Sequence, residues 1–204
     1  SFMKTTWPFV DVKTCLSRSR PTPPIRIVRS LTVLAAWLTA CGWSQAQTYI
    51  NRVGPNAAIQ DVALDSAQWT PANSPYIIEA QVSVKGGATL RMDQGTVVKM
   101  NPGCGLTVDG TLQAAGVNFS RNGNAAWRGF YFTPTSKGSV LSGCTLQGAG
   151  ANIGYIDWAD RLATMYLNRC PVTIDNCRIQ DTAGHGIELF SSSATIKNTT
   201  FQNV

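Results

Sequence analysis

The sequence predicts an all-β parallel solenoid, and two observations predict it. The first is repetition. Val140–Gln147, Thr173–Gln180 and Thr195–Gln202 carry one pattern three times. The last two copies are offset by 22 residues and the first two by 33, which is one such step plus an insertion. A fixed period in this range belongs to stacked units rather than to one globular core. The second is register. Leu141, Ile174 and Ile196 coincide on this alignment, as do Leu146, Ile179 and Phe201. Apolar residues that recur one turn apart stack as in-register parallel ladders spaced ~4.8 Å. One turn alone has no core; stacked turns share a continuous apolar column.

Taken in order, the chain opens with a leader over residues 1–46. It holds six of the 17 Lys and Arg, opposed only by Asp11. Residues 1–25, with Pro21 to Pro24, predict disorder. Residues 26–46 follow the order of a secretory signal: Arg26 and Arg29, the apolar run Leu31–Ala40, then small residues at Ser44 and Ala46. The run is too short for a stable span, which takes ~20 apolar residues, so no integral membrane span is expected after signal removal. Leu38–Cys41 also matches a bacterial lipobox, which makes Cys41 a candidate lipidation site. Cleavage after Ala46 and lipidation at Cys41 are rival outcomes of the same export.

Residues 47–75 are expected to form an entry or cap segment. Asn56–Trp69 has mixed, partly helical character, and Thr70–Pro75 is rich in turn formers. Strands are expected from Tyr76 onward. Tyr76–Val84, Thr89–Met92, Thr96–Met100, Leu106–Val108 and Thr111–Ala114 are β-rich and separated by Gly, Asn and Asp. Their arms are mostly shorter than the ~5–6 residues usual in globular sheets, which argues against a sandwich. Gly143, Asn176 and Asn198 share one repeat position. An Asn recurring there suits a turn, and its amide can bond to the turns above and below as a ladder. Residues 148–171 break the register and predict an insertion protruding from one coil, a common place for a binding surface. The sequence stops two residues after Gln202, inside a repeat, so further coils are expected beyond Val204.

Charge and cysteines exclude several classes. Residues 47–204 carry 11 basic against 10 acidic side chains. Nucleic-acid binding needs a basic face, and this balance offers none. Cys104, Cys144, Cys170 and Cys177 form no CxxC pair, and the chain has one His. No metal site is expected from that set. Cys144 and Cys177 share a repeat position and are expected to stack as small buried groups.

Ser74–Ile78, Val82–Leu90, Gly95–Lys99 and Gly105–Leu112 resemble the opening coils of secreted bacterial right-handed parallel β-helix proteins, and Trp127–Phe132 resembles their next coil. The later repeats, with Gly184–Ile187, are similar to the repeat of the pectin-lyase-like superfamily. The resemblance covers residues 69–204 and implies a right-handed, single-stranded parallel β-helix, truncated at its C-terminal end. It implies no single activity, because that fold carries polysaccharide lyases, glycosidases, tailspikes, adhesins and non-catalytic surface modules.

The candidate chemistry is sparse. Gly184-His185-Gly186 resembles a polygalacturonase segment, but inverting hydrolysis needs two carboxyl groups ~6.5–9.5 Å apart. One 22-residue step upstream of His185 lies Ala163, flanked by Leu162 and Thr164. Lyase chemistry would need Ca²⁺ on clustered acidic groups with a basic residue beside them. Asp157, Asp160 and Arg161 in the insertion could bind a cation or a uronate, yet no His follows them. Tyr155, Trp158 and Tyr131 could stack on sugar rings. The resulting expectation is an exported module that binds a polysaccharide or cell-surface glycan through Tyr155, Asp157, Trp158, Asp160, Arg161 and His185. No catalytic residue, metal or cofactor is assigned. The alternatives are a lyase or glycosidase, the former with Ca²⁺, whose catalytic coils lie beyond residue 204, and a structural stalk or adhesin.

Overall fold

The computed structural model describes residues 47–53, 59–156 and 159–204. The predicted leader, with its cleavage site and Cys41, lies outside the described residues, as do Asp157 and Trp158.

Short strands alternate with tight turns, and the chain passes over three faces in sequence before returning to the first. The first face holds seven strands: Thr48–Ile50, Tyr76–Ile78, Val97–Met100, Asn118–Arg121, Thr145–Gln147, Arg178–Gln180 and Thr200–Gln202. The second runs through Val62–Leu64, Val82–Val84, Gly105–Val108, Gly129–Phe132, Ala159–Asn168 and His185–Phe190. The third runs through Ala67–Trp69, Thr89–Met92, Thr111–Ala115, Ser139–Ser142, Val172–Asp175 and Thr195–Lys197. Neighbouring strands on each face are parallel and one coil apart. The result is a right-handed β-helix of about six turns.

The ladders fall where the repeat places them. Leu141 faces Ile174, which faces Ile196. Leu146 faces Ile179, which faces Phe201. Leu141, Ile174, Leu146 and Ile179 join one buried column that includes Leu90, Leu112, Phe119, Phe130 and Phe132. Each fully buried Leu, Ile or Phe stabilises the stack by ~1.5–3 kcal/mol relative to exposure. Cys144 and Cys177 are buried in the same column as free thiols.

The turn between the third and first faces needs a left-handed residue. Gly143, Asn176 and Asn198 supply it, with φ of 64°, 52° and 51°. The Gly143 N–H donates to the Asp175 carbonyl at 2.9 Å, and the Asn176 N–H to that of Lys197 at 3.1 Å. The amide ladder expected between the two asparagines is replaced by a stronger acceptor. Asn198 Nδ2 donates to the Asp175 carboxylate at 2.9 Å. A charged oxygen outcompetes a neutral amide for the same donor. An Asn-to-Asn step does occur elsewhere, from Asn122 Nδ2 to Asn101 Oδ1 at 2.7 Å.

Two boundaries differ from expectation. Among the described residues of 47–75, strands stand where a partly helical entry segment was expected: Thr48–Ile50 pairs in parallel with Tyr76–Ile78, and Val62–Leu64 with Val82–Val84. The first coil therefore begins by Thr48, and Pro71–Asn73 forms a 3₁₀ turn. The alternation in Val62–Leu64 spans too few residues to show its period, and pairing to the next coil decides it. The insertion is also shorter than 148–171. Phe130 pairs with Met165 and Phe132 with Leu167, so the chain has rejoined the second face by then.

Candidate functional site

The site is built where that insertion leaves and rejoins the second face. Asn152–Ile156 runs antiparallel to the first half of Ala159–Asn168, pairing Tyr155 with Asp160 and Ile156 with Ala159. The second half of the same strand continues into the parallel face. A ten-residue strand can do this because one backbone edge serves the hairpin while its later residues serve the coil.

On a strand, alternate side chains face out. Met165 and Leu167 point into the core, so Tyr166 stands on the outer side. Its register partners are Tyr131 on one side and Glu188 on the other. The Tyr131 and Tyr166 rings lie 5.6 Å apart, tilted by 30°. Arg161 sits over Tyr166 at 4.8 Å from the ring centroid, a cation–π distance. It also pairs with Glu188 at 2.5 Å, with side-chain exposures of 14% and 26%. Arg169 lies over Phe190 at 4.7 Å, and Asn168 Nδ2 donates to the Tyr131 hydroxyl at 3.3 Å. Tyr166 is fully buried beneath these groups, whereas Tyr131 and Phe190 remain partly exposed.

The arrangement is an amphipathic strip: two partly exposed ring edges with the exposed Arg169 beside them, and the buried Asn168 carboxamide holding Tyr131 from below. Such a strip can cover an apolar C–H surface while donating hydrogen bonds to hydroxyl or carboxylate oxygens. Glu188 is not positioned as a general acid or base, because its carboxylate is already held by Arg161.

The structure unites some of the sequence-predicted residues and separates others. Arg161 is central to the strip. Tyr155 and Asp160 are register partners at the hairpin, and their side chains are not described. His185 goes elsewhere. It pairs with Ala163, as the 22-residue step requires, and shares the inward parity of Ile187 and Leu189. It therefore lines a concavity at the last coil with Ile187, Ile196 and Phe201, on the opposite side of its strand from Glu188. The glycines beside it serve close packing: a Cβ on Gly184 would meet the Leu162 carbonyl oxygen at 2.2 Å. Other carboxylates are tied to residues of adjacent coils. Asp175 is held by Asn198 and Lys197, and Asp181 by Asn203 and Gln147. Among the described residues no group of His, Cys, Asp and Glu could hold a metal ion.

Residues 77–204 match the family model described as the right-handed beta helix region. The chain belongs to that family. No curated protein and no solved structure matches it. The β-helix thus stands as the established feature.

Sequence reasoning missed Tyr166, Asn168, Arg169 and Phe190. The signal was present: Tyr166 and Glu188, like Asn168 and Phe190, are separated by the same 22 residues as the repeats. Their outward position follows once Met165 and Ile187 are read as inward.

Proposed function

We propose that this β-helix is a non-catalytic module that binds a polysaccharide or cell-surface glycan on its second face. The observation that supports this best is the strip itself. Tyr131 and Phe190 offer partly exposed rings, with Asn168 and Arg169 beside them. Among the described side chains of the strip, the Glu188 carboxylate is bound to Arg161. Sugar rings have apolar faces and hydroxyl rims, and aromatic side chains flanked by a guanidinium match both. The module is proposed to be exported by the signal over residues 26–46, with Ala46 or Cys41 as the processing point. No helix among the described residues is long and apolar enough to cross a membrane.

Affinity electrophoresis of the full chain in gels containing neutral polysaccharides or polyuronates tests the reading. Retardation by at least one of them, without new reducing or unsaturated ends, is the expected result. Release of such ends would replace the proposal with the lyase or glycosidase alternative. Free migration in every gel would leave a structural stalk.

A further inference from the structure

We infer that Cys144 and Cys177 are an oxidative modification site: under a disulfide oxidant they join and close one entire coil into a covalent ring. The register carries this. Ser142 pairs with Asp175 and Thr145 with Arg178, so the 33-residue step is unbroken on both sides of the two cysteines. The Arg178 N–H donates to the Cys144 carbonyl at 2.8 Å. Each cysteine sits in the short turn between two of these paired strands, so the flanking register holds their Cα atoms about 5 Å apart, inside the ~4.4–6.8 Å that a disulfide spans. The Cys177 thiol also reaches into the coil of Cys144, donating to the Leu141 carbonyl at 3.5 Å, while the Cys144 thiol donates to the Ser142 carbonyl at 3.5 Å. Cys104 and Cys170 are also buried free thiols, and the Cys170 thiol donates to the Phe132 carbonyl at 3.7 Å.

The enclosed segment gives the link its meaning. Residues between Cys144 and Cys177 contain the whole hairpin, Arg161, Tyr166, Asn168 and Arg169. This is the coil with the longest excursion, so it has the most chain entropy to lose when it closes. A cross-link removes part of that freedom from the unfolded chain. The inference concerns the fold and stands whether or not the strip binds a glycan.

The chemistry is a dithiol–disulfide exchange. One thiolate attacks a sulfur of glutathione disulfide and releases one glutathione. The second thiolate then attacks the mixed disulfide and releases the other. The protein loses two protons and two electrons, and one glutathione disulfide becomes two glutathiones. In the closed coil both sulfurs are buried, with Cys144 1% and Cys177 2% exposed. That burial keeps glutathione disulfide away from either sulfur once the coil is folded. The bond therefore forms while the coil is open.

The full chain is refolded from denaturant with either glutathione disulfide or a reductant present. Peptide mapping without reduction is expected to show Cys144 joined to Cys177 in the oxidised sample alone. The oxidised protein should melt several degrees above the reduced one, and added reductant should abolish the difference after unfolding. Cys144→Ala should remove both the cross-linked peptide and the shift. Because that variant could fold poorly, alkylation of the wild-type protein in denaturant gives an independent readout: these two thiols should be protected after oxidative refolding. Full alkylation of both, glutathione adducts on both, or a bond from either to Cys104 or Cys170 would overturn the inference.

Discussion

At the scale of single residues, the tightest constraints are at backbone positions that few sequence patterns announce. Gly129 has φ of 114°, and a Cβ there would meet the carbonyl oxygens of Ala163 and Thr164 at 2.5 and 2.6 Å. Both are backbone atoms of the neighbouring coil and have nowhere to go. Gly129→Ala is expected to cost about 3 kcal/mol or more, seen as a lower denaturant midpoint. Gly86→Ala, where a Cβ meets nothing within 4 Å, is the control and should change the midpoint little. Charge acts at this scale too. Hydrogen bonds from Asn198 and Lys197 hold the Asp175 carboxyl below its ordinary value, and those from Asn203 and Gln147 do the same for Asp181. A depressed folded-state pKa stabilises above the unfolded value, ~3.9 for Asp, and that contribution is lost as pH falls through the folded value. Stability measured from pH 5 downward should therefore drop, and the Asp175→Asn, Asp181→Asn double variant should drop less steeply. The sequence shows Asp175 and Asn198 as separate residues; their pairing requires knowing that the turns stack.

At the scale of elements, the repeated left-handed turn makes the most direct prediction. Asn176 holds φ of 52°, which an L-residue with an ordinary Cβ adopts at a cost of roughly 1–2 kcal/mol. Asn176→Ala should destabilise by about that amount, while Asn176→Gly should be close to neutral by the same unfolding assay. This turn was legible, because Gly and Asn alternate at one repeat position. The ladders Leu141–Ile174–Ile196 and Leu146–Ile179–Phe201 were legible for the same reason. The first coil was not. Val62–Leu64 and Ala67–Trp69 are three residues each and lack the repeat's spacing, so only their partners Val82–Val84 and Leu90–Met92 reveal them as strands. The insertion was half legible. Its presence follows from the broken register, but its return at Met165 depends on tertiary pairing with Phe130.

At the scale of the whole stack, stability should come from the shared column. Phe119 is fully buried with a coil on either side, and Phe119→Ala is expected to cost about 3–5 kcal/mol. Gln113 is exposed on the outer side of the third face, so Gln113→Ala should cost clearly less in the same denaturation experiment. The apolar column was visible in the sequence, since it repeats; the outer strip was hidden, since Tyr131, Tyr166 and Glu188 share a position without sharing a residue type. Calorimetric titration with the glycan that retards the wild-type chain, repeated on Tyr131→Ala with its melting temperature recorded alongside, tests the strip most directly. Affinity about tenfold weaker, equal to about 1.4 kcal/mol, in a variant that still melts cooperatively is the predicted result. Unchanged affinity in such a variant would contradict it.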